Sequence, residues 1–185
     1  MMGRPAPIAL QLMIEYHRLE ATPDQLAIET AEIFAELLPT RLAPMPGLLE
    51  LLEALETAGI PKAIATSSGR DFVNKVLSLS NLADRFGFFL SSEDIQHGKP
   101  KPDVYLLAAE RHGVTASEMM VLEDSQIGCA AGVASRALSS RSGTDAAGAY
   151  TIAVPHGQTT RHEFPGAQFI AKTLADPRIY KVLEL

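Results

Sequence analysis

Two adjacent carboxylates, Glu123 and Asp124, follow the apolar run Val121-Leu122 and precede a segment rich in Gly and Ala. This order is typical of a buried strand that carries acids to the edge of a sheet, where open α/β sheets gather their ligands. Oxygen ligands at such an edge can hold a hard cation such as Mg²⁺. The same pair can instead be a helix N-cap with a solvated neighbour, and the segment alone leaves both interpretations open.

Hydroxyl side chains occupy the exit of an earlier predicted strand. Thr66, Ser67 and Ser68 follow the apolar stretch Ala63-Ile64-Ala65. Backbone N–H groups at the start of a helix, together with the Thr66 hydroxyl, can converge on an anion. The alternative is that these residues only cap the helix predicted to begin near Asp71.

Two lysines lie in a stretch of restricted backbone. Pro100 and Pro102 limit the conformations available around Lys99 and Lys101. One ammonium group fixed inward in this way would be useful where phosphate and carboxylate charges crowd together. A surface turn that exposes both lysines is the alternative. Asp103 is predicted to be the N-cap of the next helix.

Alternating helices and strands must position these groups. Residues 8–38 have helical spacing and predict two antiparallel helices, with Thr22 as N-cap and Pro23 as the first residue of the second helix. Residues 39–46 are predicted to break the helical pattern and to lead into a second region. That region is predicted to contain, in chain order, a helix from Leu48 closed by Gly59, the strand Ala63 to Ala65, a helix from Asp71 to Leu79, the apolar run Phe86 to Leu90, a helix from Asp103 to His112, and the strands Met119 to Leu122 and Thr151 to Val154. Strict alternation implies a doubly wound parallel α/β sheet beneath a small helical module.

Composition limits the classes of function. The 185 residues carry a net charge of -6 without a basic stripe, which argues against nucleic acid as a partner. The sequence has no apolar run long enough to span a membrane and no secretory signal pattern, so a cytoplasmic protein is expected. The single cysteine, Cys129, lies among small residues and is interpreted as a packed thiol.

The order of the three polar segments indicates phosphoryl chemistry. Hydroxyl, lysine and acids leave successive strand ends, so one crevice can hold all of them. Mg²⁺ binds carboxylate and phosphate oxygens, the lysine screens charge, and the hydroxyl and amides bind the transferred group. The sequence therefore predicts a site for a small phosphorylated metabolite.

These segments resemble the haloacid dehalogenase-like hydrolases, specifically the branch that contains phosphoglycolate phosphatases and beta-phosphoglucomutase. The resemblance rests on Ile64-Ala65-Thr66-Ser67-Ser68, on Gly98-Lys99-Pro100-Lys101-Pro102-Asp103, and on Val121-Leu122-Glu123-Asp124-Ser125 with Gly128 shortly after. It covers nearly the whole chain. It implies a Rossmann-like core with a helical cap and a Mg²⁺-dependent phosphatase activity.

The resemblance also implies roles for individual residues. Thr66 matches the hydroxyl that binds phosphate, and Ser67 contributes through its backbone. Lys99 matches the lysine that steadies the phosphoryl group and the nucleophile. Asp124 matches the metal-binding acid, with Glu123 in direct or water-mediated support.

The resemblance to this family also implies a division of the chain into regions. Residues 1–43 are interpreted as the later part of a helical cap, in which Gly3-Arg4 resembles the segment that faces the substrate. Residues 44–185 are interpreted as the core. Residues 135–145 have loop composition and are interpreted as a surface insertion. Lys101 stands where the family more often has a small residue, so it is kept outside the catalytic set.

One family motif is absent. Members of this family begin with a strand that ends in Asp-x-Asp, whose first Asp attacks phosphorus and whose second acts as general acid and base. No two aspartates of this sequence stand two positions apart, so the 185 residues are expected to be inactive by the covalent route. In the family that strand lies between the strands that correspond here to Ala63–Ala65 and Met119–Leu122. Its absence predicts two unpaired strand edges, which also permit self-association.

Two hypotheses follow. The first is a Mg²⁺-dependent phosphatase, or less readily a sugar-phosphate mutase, whose chain begins upstream of Met1. The second is a non-catalytic relative that binds a phosphorylated metabolite or a partner chain. The substrate is not predicted, because its selection depends on the cap.

Overall fold

A pair of helices opens the part of the chain that can be described. The computed structural model describes residues 6–138 and 148–185. Helix α1 spans Ala6–His17 and α2 spans Pro23–Arg41. Thr22 caps α2 as predicted: its Oγ1 accepts a hydrogen bond from the Gln25 backbone N–H at 3.2 Å, and Gln25 Oε1 accepts one from the Thr22 N–H at 2.9 Å.

The predicted helix break at Pro39 is wrong, because α2 continues to Arg41. Pro39 lies in the last turn, where the missing N–H removes a single helical bond. The Leu42 N–H still donates to Leu38 O at 3.0 Å and closes the helix. The linker into the core therefore begins at Leu42.

Helices and strands alternate through the rest of the chain. They are α3 (Leu48–Thr57), β1 (Ala63–Ala65), α4 (Arg70–Leu79), β2 (Phe88–Leu90), α5 (Asp103–His112), β3 (Met120–Glu123), α6 (Gln126–Leu138), β4 (Tyr150–Ala153) and α7 (Pro177–Leu183). Every predicted core element is present. This succession is the α/β architecture expected from the sequence.

The strands form two separate parallel pairs. Strand β1 pairs with β2 with Ile64 opposite Phe89, and β3 pairs with β4 with Leu122 opposite Ile152. Among the described residues, no backbone pairing joins β1 to β3. The gap lies at the position where the sequence comparison expected the family's central strand to be missing.

Apolar clusters cover the two faces of these pairs. Helix α3 packs Leu51 and Leu55 against Ile152 of β4, and Leu52 joins a cluster that includes Ile64. On the other face, α5 packs Val104 and other residues against Leu90 and Val121, in the company of Ala131 from α6. Helices on both faces of parallel strands are the doubly wound arrangement that was predicted.

The first residues of the predicted insertion belong to a helix. Helix α6 continues through Leu138, so residues 135–138 are helical and not a loop. Ser135 is fully buried, and its Oγ donates to Gly132 O at 2.6 Å and accepts from the Ala149 N–H at 3.2 Å. Serine is unfavourable within a helix because its hydroxyl competes for backbone hydrogen bonds. Here the two bonds satisfy the Ser135 hydroxyl inside the helix. The remaining predicted insertion, residues 139–145, lies outside the described residues.

Candidate active site

The two strand pairs enclose a cleft of about 1190 Å³. Residues that follow β1 and β3 line it, together with the loop that carries Lys99 and the residues after β4. The polar residues of this lining include Thr66, Ser67, Ser68, Lys99, Glu123, Asp124, Ser125 and His156. The structure therefore brings together the hydroxyl, lysine and acid segments that the sequence placed in one crevice.

Lys99 joins the carboxyl ends of β1 and β3. Its side chain is 6% exposed, and Nζ donates to Ala65 O at 3.1 Å and forms an ion pair with Glu123 Oε1. The ammonium also lies 5.1 Å from the centre of the Tyr105 ring. The peptide bond between Lys99 and Pro100 is cis. Lys101 is exposed, so the structure separates the two lysines that the sequence could not.

Glu123 is the centre of a buried hydrogen-bond network. Its carboxylate is 7% exposed and accepts from Lys99, from the Tyr105 hydroxyl, and from the Ser125 N–H at 3.4 Å and Ser125 Oγ at 3.1 Å. Burial and the adjacent Glu123 charge raise the pKa of Tyr105 well above its usual value, so Tyr105 remains a donor. Glu123 therefore directs its oxygens to Lys99, Tyr105 and Ser125, which favours the water-mediated form of the metal support predicted for it over the direct form.

A glycine makes room for this carboxylate. A Cβ atom at Gly128 would overlap the Glu123 carboxylate, whereas the Gly128 N–H donates to Ser125 Oγ at 3.1 Å. The close approach of the Glu123 carboxylate thus explains why residue 128 is a glycine.

Asp124 is directed differently from its neighbour. Its side chain is 36% exposed, and Oδ2 lies 3.2 Å from His156 Nε2. His156 follows β4 in the chain and was not predicted as a site residue. Tyr105 was also missed, although it is the one residue with a polar tip on the buried face of α5.

Thr66 stands at the exit of β1. Its backbone N–H donates to Leu90 O at 2.9 Å, and its Oγ1 accepts from the Ser68 N–H at 3.1 Å. A hydroxyl that accepts in this way can still donate its own proton to an anion. The N-cap of α4 is Gly69, which makes no side-chain cap bond, so these hydroxyl residues are not the cap of that helix.

Two further predicted positions need a correction or a limit. Asp103 is not the N-cap of α5: Pro102 occupies that position, and Asp103 Oδ2 accepts from the His97 N–H at 3.2 Å. Arg4, predicted to face the substrate, lies outside the described residues.

A metal ion could be held at Asp124. Over residues 6–138 and 148–185, no three side chains of His, Cys, Asp or Glu form a metal-binding group. Mg²⁺ is commonly held by one or two carboxylates and fills its other positions with water and phosphate oxygens. The partly exposed Asp124 carboxylate in the cleft lining fits one such position.

Parallel strands between helices, with hydroxyl, lysine and carboxylate groups at the strand ends, define an α/β protein of the Rossmann-like class. The profile of the haloacid dehalogenase-like hydrolase family matches residues 4–136. The chain therefore belongs to the haloacid dehalogenase-like hydrolase family, as the sequence motifs indicated.

Relatives within the family include several phosphatases. A bifunctional riboflavin kinase/FMN phosphatase from Arabidopsis thaliana is 27% identical over 97% of this chain and 44% of its own length. A probable pseudouridine-5'-phosphatase from Drosophila melanogaster is 28% identical over 95% of this chain and 73% of its own length. The chain thus spans less than half of the first of these relatives.

Solved structures confirm the fold. A predicted phosphoglycolate phosphatase from Haemophilus somnus superposes with a TM-score of 0.74 at 19% identity, over 98% of this chain and 79% of that chain. A beta-phosphoglucomutase from Clostridium difficile gives a TM-score of 0.71 at 17% identity, over 98% and 77%. These two structures therefore share the fold of this chain. None of the helices in the described part of the chain is long and apolar enough to cross a membrane.

Proposed function

We propose that this chain carries the phosphate-binding and metal-binding groups of a Mg²⁺-dependent phosphatase that acts on a small phosphorylated metabolite. The observation that supports the proposal is the convergence of Thr66, Lys99 and Asp124 on one cleft. Two of the relatives described above are named as phosphatases of phosphorylated small molecules.

Each residue has a distinct role in this proposal. The Thr66 hydroxyl donates to a phosphate oxygen, and the backbone of Ser67 contributes a further N–H. Lys99 supplies a fixed positive charge. In a site shielded from water, such a charge stabilises the negative charge of a bound phosphoryl group. Glu123 and Tyr105 position Lys99 through the buried ion pair and the ring contact.

Asp124 holds the metal ion in this proposal. When bound, Mg²⁺ would neutralise phosphate charge and orient the phosphoryl oxygens. Glu123 is assigned to Lys99 and not to the metal, because its oxygens already accept bonds from protein donors. The His156 ring contacts Asp124 Oδ2 and helps to fix the direction of that carboxylate.

Ligand binding tests these assignments on the 185-residue chain itself. Isothermal calorimetry should detect weak, saturable binding of Mg²⁺, lost in Asp124→Asn and kept in Asp84→Asn, an exposed acid outside the cleft. Inorganic phosphate should bind at least tenfold more weakly to Thr66→Val, with Lys101→Met as the exposed-lysine control. Unchanged binding in both cleft variants would remove the support for the site.

The family's covalent step requires the first carboxylate of an Asp-x-Asp motif. The 185 residues contain no Asp-x-Asp motif. We therefore expect the 185 residues alone to release no phosphate from a panel of phosphorylated metabolites. A chain extended upstream in its natural reading frame, should it add Asp-x-Asp, is expected to release phosphate with Mg²⁺. If an extended chain that contains Asp-x-Asp released no phosphate, the proposed phosphatase activity would be contradicted.

A second candidate is favoured by the same missing pattern. A non-catalytic relative would bind phosphorylated metabolites in the cleft and release no phosphate, with or without additional residues. The two candidates share the ligand-binding result and differ in turnover by the extended chain. A mutase would differ from both by converting one sugar phosphate into its isomer.

A further inference from the structure

The exits of β1 and β2 are joined beyond the strands themselves. The Thr66 N–H donates to Leu90 O at 2.9 Å, and the Ser92 N–H donates to Ser68 O at 3.1 Å. The pairing of the two strands therefore continues into residues 66–69, which line the cleft and carry the proposed phosphate-binding groups. These bonds involve the segments after β1 and β2 and not β3 or β4.

Helix α4 receives a carboxylate from the exit of β2 at its first amide. Its N-cap residue, Gly69, supplies no side-chain acceptor of the kind that usually satisfies the first N–H groups of a helix. Glu93 Oε1 instead accepts from the Arg70 N–H at 2.9 Å, although the two residues are 23 positions apart. The start of α4, which directly follows the hydroxyl residues, is therefore attached to the segment after β2.

The Arg70 side chain makes a second attachment to the same segment. A cation in the first turn of a helix is opposed by the helix dipole and is favourable only when negative groups compensate it. Arg70 Nη2 donates to Asp94 Oδ1 at 2.6 Å, and Arg70 Nε lies 3.8 Å from Glu93 Oε2. The guanidinium group also lies 5.2 Å from the centre of the Phe89 ring. Arg70 is thus directed toward β2 and its exit.

Asp94 is a fixed partner for Arg70. Its side chain is 11% exposed, and Oδ2 accepts from the N–H and the Oγ of Ser91 at 2.8 Å each. Ser91 directly follows β2 and is fully buried. Arg111 Nη2 lies 3.7 Å from Asp94 Oδ1 as a second cation. A carboxylate held by several donors restricts its partner more than the exposed ion pairs of a protein surface do.

We propose that Glu93 and Asp94 are positioning residues for phosphate binding: through Arg70 they hold residues 66–70 in the conformation that receives the anion. This inference rests on the phosphate site proposed above. By charge alone, two carboxylates beside an anion-binding loop lower its affinity for phosphate. They favour binding only through the geometry that they impose on the loop, so the direction of the change in affinity distinguishes the two effects.

A matched pair of substitutions at Glu93 tests the proposal. Glu93→Gln and Glu93→Ala remove the same charge, but only glutamine keeps an oxygen that can accept from the Arg70 N–H. Calorimetric titration of the 185-residue chain with inorganic phosphate should show an affinity in Glu93→Gln at least equal to that of the wild type. Glu93→Ala should bind about fivefold more weakly or worse, as expected for the loss of one hydrogen bond. Equal affinities of the two variants would overturn the proposal.

A double-mutant cycle tests whether Asp94 acts through Arg70. Asp94→Ala should weaken phosphate binding even though it removes a negative charge, and Arg70→Met should weaken it as well. The double variant Arg70→Met/Asp94→Ala should bind phosphate no more weakly than the weaker single variant, because both changes break one contact. Additive effects would contradict the assigned route. Asp84→Asn, an exposed acid outside the cleft, is the control and should leave phosphate affinity unchanged.

Titration with Mg²⁺ separates positioning from a general loss of folded protein. Asp124 follows β3, so Glu93→Ala and Asp94→Ala should keep the wild-type affinity and stoichiometry for Mg²⁺. A parallel loss of Mg²⁺ and phosphate binding would indicate a purely structural role and overturn the proposal. If Thr66→Val weakens phosphate binding and Glu93→Ala does not, only the positioning role fails. If the wild-type chain binds no phosphate, the proposed function fails and this inference fails with it.

Discussion

Lys99 and Glu123 form an ion pair that is almost completely buried, with side chains 6% and 7% exposed. The pair joins two strands that share no backbone hydrogen bond in the described residues. Two charges removed from water are tolerated only when other donors complete the network, and Tyr105 and Ser125 do so here. The Lys99 ammonium is also the group proposed to interact with the bound phosphate. The Lys99–Glu123 ion pair therefore contributes both to stability and to the proposed function.

Lys99→Met should be strongly destabilising. It leaves the Glu123 carboxylate buried without a cation, and breaking a buried pair in this way costs about 3–5 kcal/mol. Removing both charges in Lys99→Met/Glu123→Gln should recover most of the free energy of unfolding. Urea denaturation of the two single variants and the double variant measures the coupling.

The exposed Lys101→Met serves as the control and should change the free energy of unfolding by no more than about 0.5 kcal/mol. Additive effects of Lys99→Met and Glu123→Gln would indicate that the two side chains do not form the observed pair.

Gly128→Ala should destabilise the protein even though Gly128 lies in a helix. Replacing a helical glycine by alanine normally gains up to about 1 kcal/mol. Here the added methyl group overlaps the Glu123 carboxylate, and overpacking of this kind costs about 1–3 kcal/mol. Thermal denaturation should therefore show a lower midpoint.

Two comparisons isolate the overlap. Gly87→Ala places its Cβ 3.7 Å from the nearest atom, Lys62 O, and should be nearly neutral. In the background Glu123→Ala, the change Gly128→Ala should become favourable because the overlapping group is gone. A destabilising effect of the same size in that background would refute the steric explanation.

Local signals made several elements predictable. The bounds of β1 and α5 agree with the sequence prediction residue for residue. Each is delimited by residues that restrict the backbone, such as Pro102 before α5 and Gly113 after it, which has φ of 70°. The hydroxyl, lysine and acid segments reach one cleft because the ends of parallel strands coincide, which is a rule of topology and not of composition.

Contacts between distant residues were not predictable in the same way. Tyr105 and Glu123 are 18 positions apart, and their hydrogen bond depends on how α5 packs over β3. The direction of the Glu123 carboxylate was missed for the same reason, since adjacent acids look equivalent in the sequence. Pro39 was misjudged because a proline in the last helical turn costs less than one in the interior.

Cys129 should be unreactive toward thiol reagents in the native protein. It is fully buried, and burial, with the nearby Glu123 and Asp124 charges, raises its pKa to about 12. At pH 8 roughly one thiol in ten thousand would then be ionised, and the thiolate is the reacting form. Labelling with Ellman's reagent should be much slower for native than for guanidine-unfolded protein.

The sequence has one cysteine, so this labelling signal has no background from other thiols. The native rate should follow the rate of unfolding and rise with denaturant. Fast labelling without denaturant, at the rate of the unfolded chain, would show that the thiol is accessible.

Asp94 should contribute stability that is lost in acid. Its carboxylate accepts from the Ser91 N–H and Oγ at 2.8 Å each and pairs with Arg70 at 2.6 Å. The backbone hydrogen bond from Ser91 is the largest cause that lowers the pKa of Asp94 below its ordinary value of 3.8. The folded state therefore favours the ionised form, and the contribution is complete above about pH 5 and declines as the pH falls through the lowered pKa.

The comparison of the wild-type protein with Asp94→Asn isolates this group. Urea denaturation at pH 7 should show that the variant is less stable, because the amide cannot accept from Ser91 and pair with Arg70 as a charge does. Below about pH 3.8 the difference should shrink, because the unfolded carboxyl then takes up a proton that the folded carboxylate, with its lowered pKa, binds less readily. Other acids titrate in both proteins and largely cancel, so a difference that stays constant between pH 7 and pH 2 would contradict a lowered pKa at Asp94.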